Sequence, residues 1–592
     1  MPGGYLSERT EGQMDNQRLL PWAFFGMMVW FTYQAWMRDY PPVTAALPTQ
    51  TAEQARDVPA GQTDLPALAD LPAISDGTSV TDAPELEPTA AMIPDIEPAA
   101  GDEIISVTTD VLQLEIDTRG GSLRRAQLLA YPVAKDQPDT VVELLSATPY
   151  ELGLVQTGLR STGDGEEANH LALFSTTSTR FDLNGRDEIE IPLTWSNESG
   201  VRVEKTIRLR RGSYTIEIEQ RVVNGSAEEW RGAAYAQLQR RSRPIERSMF
   251  DVDTYSFDGP IIYDGEKSTK LKRDDLLEDG PTSFVSSTGW VAAIQHHFLT
   301  AVVPAAGTEQ RYNVSLRGDG DVSLSSAIGP ATTVAPGLDS IFKTSVFVGP
   351  KLQAQLEQIT PTLKLTVDYG WLTIISEPLF WLLSKVFSFV GNWGLAIILV
   401  TALIKGAFYK LTQASGRSMA KMREIQPRMK ALQDRYKDDR QALSQAMMEL
   451  YKREKVNTAA GCLPVLVQMP FFLAFYWVLL ESVEMRQAPF ALWITDLSTR
   501  DPYFILPIII GAAMLFQQRL NPAPADPVQA KVMQVMPIVF TGFFAFFPSG
   551  LVLYWVTNTL LSIAQQWQIN KVVAAEGKKG GSQQKTKKNK KD

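Results

Sequence analysis

The sequence predicts a multi-domain membrane protein. It has six transmembrane helices, one N-terminal anchor followed by a five-helix core. A large β-sandwich lies between anchor and core, and a helical hairpin sits on the cytoplasmic side. Three observations predict this: uncharged runs near both ends of the chain, period-two alternation in the middle, and lysine and arginine gathered in particular connections. With 592 residues, the chain has room for several domains at roughly 100–200 residues each.

Residues 19–37 run without a charge between Arg18 and Arg38, close to the ~20 residues that span a bilayer as a helix. The bulky exit Trp36-Met37-Arg38 lacks the small residues of a signal cleavage site, so the run reads as an uncleaved anchor. Residues 1–18 precede it on the cytoplasmic side. Residues 41–103 carry ten prolines and twelve acidic residues against Arg56, a composition that buries no core and reads as a disordered linker.

Between 104 and 350 apolar residues alternate: Leu112, Leu114, Ile116, then Ile189, Ile191, Leu193, Trp195, then Ile216, Ile218. Turn signals such as Gly120-Gly121 and Asn224-Gly225 separate the runs, which marks antiparallel strands of a β-sandwich. In the linking region 351–391, Leu352, Leu356 and Ile359 share a short helical face. Trp371–Phe389, with Glu377 and Lys385, reads as an amphipathic helix in the membrane interface. The core spans then fall at 392–411, 461–482, 501–519, 531–547 and 549–568.

Charge sets the orientation. Residues 410–455 carry twelve Lys/Arg against six acidic residues, and the tail within 569–592 carries eight lysines. The segment between the third and fourth spans (483–500 and its flank) has only Arg486 and Arg500 as basic residues. The positive-inside rule places hairpin, tail and both termini in the cytoplasm, and the 483–500 loop and the β domain in the periplasm.

In the hairpin segment 412–460, Met419, Met422, Ile425, Met429, Leu432 and Tyr436 form one apolar stripe; Leu443, Met447 and Leu450 form another. The methionines admit two readings, packing within the hairpin or an adaptable surface for apolar clients. Pro427 should start or kink a helix.

Lys405 is the only charge between Trp393 and Tyr409. A lysine at the bilayer centre costs ~2.5–3.5 kcal/mol on insertion scales, so such a residue faces a polar cavity or a partner unless it snorkels. Thr401 lies one turn earlier on the same face. Gln468, Gln517, Asn558, Ser562 and Gln565 admit two readings, polar lining beside Lys405 or routine interhelical hydrogen bonds worth ~0.6 kcal/mol each.

Exclusions follow from composition and motifs. A net charge of −9 excludes a uniformly basic nucleic-acid binder, and no DNA partner is expected. One cysteine, Cys462, excludes an internal disulfide framework, and three histidines leave little for metal chemistry. No phosphate loop, HExxH or GxSxG occurs. Neither a catalytic residue, a metal nor a cofactor is expected, and the chain does not read as an enzyme. A transporter would call for inverted repeats and paired intramembrane charges; neither is seen. A membrane-anchored glycan enzyme would need a carboxylate pair or histidine site that nothing selects.

The stretches NWGLAIILVTALIKGAFYKLT (392–412), SMAKMREIQPRMKAL (418–432), GCLPVLVQMPFFLAFYWVL (461–479) and FFPSGLVLYWVTN (546–558) resemble the YidC/Oxa family of membrane-protein insertases. So do RQAPFALWITDLS (486–498) and DPYFILPIIIGAAM (501–514). MDNQRLL with the anchor, and ISVTTDVLQLEIDTRGGSL (105–123), resemble its Gram-negative form. The resemblance implies insertion and folding of nascent membrane proteins in the bacterial inner membrane, alone or with the Sec translocon. It implies a hydrophilic groove, open to cytoplasm and lipid, whose cation attracts acidic residues of the client. That cation is usually arginine in the family; Lys405 stands at its position and keeps the charge without the bidentate fork. Client contacts fall on Thr401, Phe472, Tyr554 and Trp555, with Gln468 as polar lining. The hairpin, with Met419, Met422, Met429 and Met447, would contact clients, ribosome or targeting machinery. The β domain resembles a galactose-mutarotase-like supersandwich.

Overall fold

The computed structural model describes residues 103–162, 166–242, 257–318, 320–436, 439–454, 463–520 and 527–588. All of these lie within one compact unit. The anchor at 19–37, the segment 1–18 and all of the linker 41–103 but its last residue lie outside them.

From Ile104 to Pro350 the chain folds into two antiparallel-rich sheets, of 11 and 9 strands among the described residues. The strand Glu188–Ser196 shows why: Ile189, Ile191, Leu193 and Trp195 are buried while the residues between them face outward. It pairs in register with Val201–Arg210, placing Glu190 opposite Arg208 and Glu188 opposite Arg210. Both pairs form ion contacts, at 2.5 Å and 2.8 Å. Exposed pairs of this kind add little stability, but like charges directly opposite would be destabilising, so the pattern supports this register. At the tight turn between Leu112–Asp117 and Ser122–Ala134, Gly120 and Gly121 adopt φ of +69° and +62°, a region that glycine enters without steric cost. A six-residue helix, α1 (Arg273–Glu278), lies among the strands, and α2 (Gln353–Ile359) follows the last one with Leu356 fully buried.

The helical core follows: α3 (Thr373–Val390), α4 (Trp393–Ala407), α5 (Tyr409–Arg435), α6 (Arg440–Arg453), α7 (Leu463–Glu481), α8 (Ile505–Leu520), α9 (Pro527–Phe544) and α10 (Ser549–Lys588). The Asn392 side chain caps α4 by accepting from the Leu395 amide. α10 packs against α4, α8 and α5, and α3 against α4 and α7. Gly511 lets α8 and α9 close up, because a Cβ there would collide with the Thr541 hydroxyl. By length and composition one described helical stretch, Gly370–Val390, is long and apolar enough to cross a membrane by itself. Trp393–Ala407 and Tyr409–Ser418 pass together but meet at a 62° bend.

One sequence expectation meets a different geometry, and another is narrowed. The run 392–411 is not one straight helix. α4 ends at Ala407, and Phe408 turns the chain into α5 while its ring packs edge-on against Phe471 at 5.2 Å. Pro427 lies inside α5, which removes the helix-start alternative and leaves the kink.

The β domain is joined to the core by polar contacts. Lys351, just after the last strand, pairs with Glu481 at the end of α7 at 3.0 Å, both buried. The His297 Nε2 bonds to the Leu480 carbonyl at 3.0 Å. Arg486 donates to the carbonyls of Pro132 and Val133 (2.8 and 3.1 Å), and Lys135 reaches the Thr495 carbonyl. The pair His296-His297, unremarkable in the sequence, is therefore part of this joint; the two rings stack at 3.7 Å.

Candidate functional site

The site is built where α4, α7 and α10 meet. Lys405 lies in the last turn of α4 and is only 6% exposed. A helix C-terminus favours a cation, because the peptide dipoles leave partial negative charge there. The Lys405 Nζ donates to the Ser562 Oγ of α10 at 2.8 Å and to the Gln468 Oε1 of α7 at 3.2 Å. Both acceptors are neutral, and among the described residues no carboxylate pairs with this ammonium. Glu481, the acidic residue at the far end of α7, is engaged by Lys351 instead.

Thr401 is buried on the same face of α4, but its hydroxyl donates to the Ile397 carbonyl at 2.6 Å. It shapes the wall without offering that proton to a ligand. Above the polar cluster is an aromatic wall. Phe472 of α7 meets Trp555 edge-on at 4.6 Å and Tyr554 at 6.0 Å. Tyr554 also stacks on Phe475 at 4.6 Å, and Trp555 leans on Phe544 at 5.2 Å. Two polar atoms of the site, Trp555 Nε1 and Gln565 Oε1, are buried without a hydrogen-bond partner among the described residues. The arrangement offers a cation, a spare donor and a spare acceptor beside flat apolar rings. Among the described residues, it holds no nucleophile aligned with a base.

Lys405, Gln468, Phe472, Tyr554 and Trp555 are thus brought together. The hairpin methionines are not part of this cluster. Met429 is buried between α5 and α6 with Ile425 and Leu450, and Met422 and Met447 pack half-buried around them. The Met419 side chain lies outside the described residues. Met422, Met429 and Met447 thus take part in packing within the hairpin, Met422 and Met447 with part of their surface still exposed. Sequence reasoning offered Ser562 and Gln565 only as candidate polar lining. The signal that singles them out is spacing: Trp555, Asn558, Ser562 and Gln565 recur at helical intervals along one face of α10.

Residues 104–382 match the YidC periplasmic domain family and residues 385–576 the 60Kd inner membrane protein family. The chain is 46% identical over 580 residues to the membrane protein insertase YidC of Thioalkalivibrio sulfidiphilus, covering 96% of this chain and 100% of that one. It is 46% identical over 563 residues to the membrane protein insertase YidC of Methylococcus capsulatus, covering 95% and 99%. Among solved structures, the crystal structure of an active YidC insertase with its first transmembrane domain resolved is 18% identical. It covers 78% of this chain and 94% of that one, at a TM-score of 0.35. On the strength of the near-full-length sequence relatives, the chain belongs to the YidC family.

Proposed function

We propose that the protein inserts and folds client transmembrane segments from the cytoplasm into the inner membrane, through a groove whose positive charge is Lys405. The observation that carries the mechanism is a buried ammonium held, among the described residues, by the neutral acceptors Gln468 and Ser562. Its charge is not cancelled, so a client carboxylate arriving within ~4 Å is attracted by about 4 kcal/mol at the effective dielectric of a partly wet site. That offsets part of the cost of drawing an acidic tail towards the far side. The client's apolar helix meets Phe472, Tyr554 and Trp555 and leaves into lipid.

The topology belongs to the same reading. The segment 19–37 with α4, α7, α8, α9 and the first half of α10 makes six spans, both termini in the cytoplasm. α3 lies in the interface, since Trp381 shares its exposed side with Glu377 and Lys385, and the exposed Trp371 stands just before its first turn. α4 and α8, with 15 and 16 residues, are ~23–24 Å long against a ~30 Å hydrocarbon core. Such short spans thin the bilayer around them and shorten the client's crossing. The α5–α6 hairpin and the lysine-rich end 569–592 face the cytoplasm and engage ribosome and targeting machinery. Cooperation with the Sec translocon and the absence of any cofactor complete the reading.

The test uses purified protein in liposomes, without ATP, and a single-span client with an acidic translocated tail, read by protease protection. Lys405→Glu lowers protection, whereas Lys405→Arg retains most of it. Protection indifferent to Lys405→Glu removes the charge mechanism, and no protection by folded protein removes autonomous insertion. Deleting 571–592 weakens cosedimentation with ribosomes more than it weakens this insertion; unchanged cosedimentation removes the ribosome role of the tail.

A further inference from the structure

The structure assigns Ser562 and Gln565 of α10 as positioning residues that aim the Lys405 ammonium at the client. This rests on the proposed groove function and deepens it. Four contacts carry it. The Ser562 hydroxyl donates its proton to the Asn558 carbonyl at 2.7 Å. A hydroxyl has one proton and two lone pairs, so with its proton committed it can only accept from Lys405, as it does at 2.8 Å. One turn on, the Gln565 Nε2 donates to the backbone carbonyl of Lys405 at 3.3 Å. That carbonyl belongs to the last turn of α4, where carbonyls lack helical partners. α10 therefore grips Lys405 twice on one of its faces, at the side-chain tip and at the backbone, while Gln468 accepts from the ammonium out of α7 at 3.2 Å.

The consequence is geometric. An ammonium on a four-carbon stem has many rotamers, and near a helix end it tends to snorkel towards water. Two fixed acceptors take two of its three N–H groups and leave the third for a carboxylate. Losing the serine acceptor frees the stem. The charge remains, but its placement at the crossing path is lost.

The test reconstitutes the full-length protein and compares two clients that differ only in the translocated tail, one with two acidic residues and one with the matching amides. The readout is the ratio of their insertion rates, which normalises for protein yield and general folding. Ser562→Ala lowers the acidic-to-amide ratio about three- to tenfold, the range of one lost interhelical hydrogen bond up to a charge-assisted one. Ser562→Thr keeps the ratio and the isosteric Ser562→Val lowers it, which separates the hydroxyl from the shape. Ser562→Asp pairs with Lys405 internally and brings the ratio to about one. An unchanged ratio in Ser562→Ala and Ser562→Val, while Lys405→Glu collapses it, overturns the positioning role and leaves the groove cation standing. An unchanged ratio in Lys405→Glu itself overturns the groove cation, and the positioning role with it.

Discussion

Lys405 and Lys205 are both lysines with almost no exposed surface, and they differ in what surrounds them. Lys205 sits inside the β-sandwich with its Nζ on the Gly120 and Thr157 carbonyls at 2.5 and 2.8 Å and the Phe174 ring 5.3 Å away. Among the described residues no carboxylate is in reach, and burial lowers its pKa from the ordinary 10.5 to about 7. The folded state therefore binds fewer protons than the unfolded state between about pH 7 and 10.5. Stability rises with pH across that window, by at most about 1.4 kcal/mol per pH unit, and the penalty is fully present below it. Lys205→Met keeps the length of the stem and abolishes this slope. Chemical unfolding of the full-length protein in detergent at pH 7 and pH 9 checks it: the wild-type stability increases between the two and the variant's does not. At this scale Lys405 was legible in the sequence, because a lone charge in an apolar run is visible without a fold. Its acceptors were legible only as candidate polar lining, since Gln468 and Ser562 lie 63 and 157 residues away and nothing local ties either to it. Lys205 was invisible as a buried group, because alternation marks it only as an inward position on a strand rich in charge.

At the scale of elements, period decides what could be read. The strands around Ile189 and Ile216 were legible because alternating burial writes itself into the sequence at every second residue. The hairpin stripes were legible as helices but ambiguous in purpose, since a methionine at helical spacing serves a core and a binding face equally well. The packing resolves it for the hairpin core. Ile425, Met429 and Leu450 are each at most 6% exposed, and the Tyr451 hydroxyl approaches the Met429 sulfur at 4.0 Å. The Arg428–Glu454 pair at 2.6 Å clamps the two helices, although an exposed pair adds well under ~1 kcal/mol. Apolar packing therefore dominates. Met429→Ala costs about 2 kcal/mol, the low end for a buried methionine because this small core can collapse partly. Amide exchange in α5 and α6 accelerates roughly thirtyfold, the equivalent of that free energy, while exchange in α7 to α9 is unchanged. Acceleration confined to α5 would show that the two helices do not rely on each other. The bend at Phe408 was illegible for a different reason: Gly406 and an aromatic run are compatible with a continuous helix, and only the neighbouring Phe471 decides where the chain turns.

For the whole molecule, the question is what joins the β-sandwich to the membrane core. The joint concentrates on Lys351, His297 and Glu481, which no sequence pattern couples, because the contact spans 130 residues of chain. The buried Lys351–Glu481 pair sets a strict rule: removing one partner leaves an uncompensated buried charge and costs about 3–5 kcal/mol, whereas replacing both by apolar residues of similar size is near neutral. Lys351→Met and Glu481→Gln should therefore each lower the thermal midpoint of the detergent-solubilised protein, and Lys351→Met with Glu481→Leu should restore it; a double variant no better than the singles would refute the pair. Beside it, the His297 Nε2 can meet the Leu480 carbonyl only by donating, so in the neutral ring the proton sits on Nε2. Burial, together with the cationic surroundings of His296, Lys351 and Arg486, holds its pKa well below the ordinary 6.5. The folded joint thus binds fewer protons than the opened one, and the stability present above pH 6.5 is lost as pH falls through and below that value. Because the β domain lies on the periplasmic side, this joint feels the pH of the medium. Limited proteolysis between the domains should be slow at pH 7.5 and faster at pH 5, with the pH dependence reduced in His297→Gln, which keeps a donor but does not titrate. Equal cleavage rates at the two pH values, after correction for the protease's own pH profile, would show that His297 does not govern the joint.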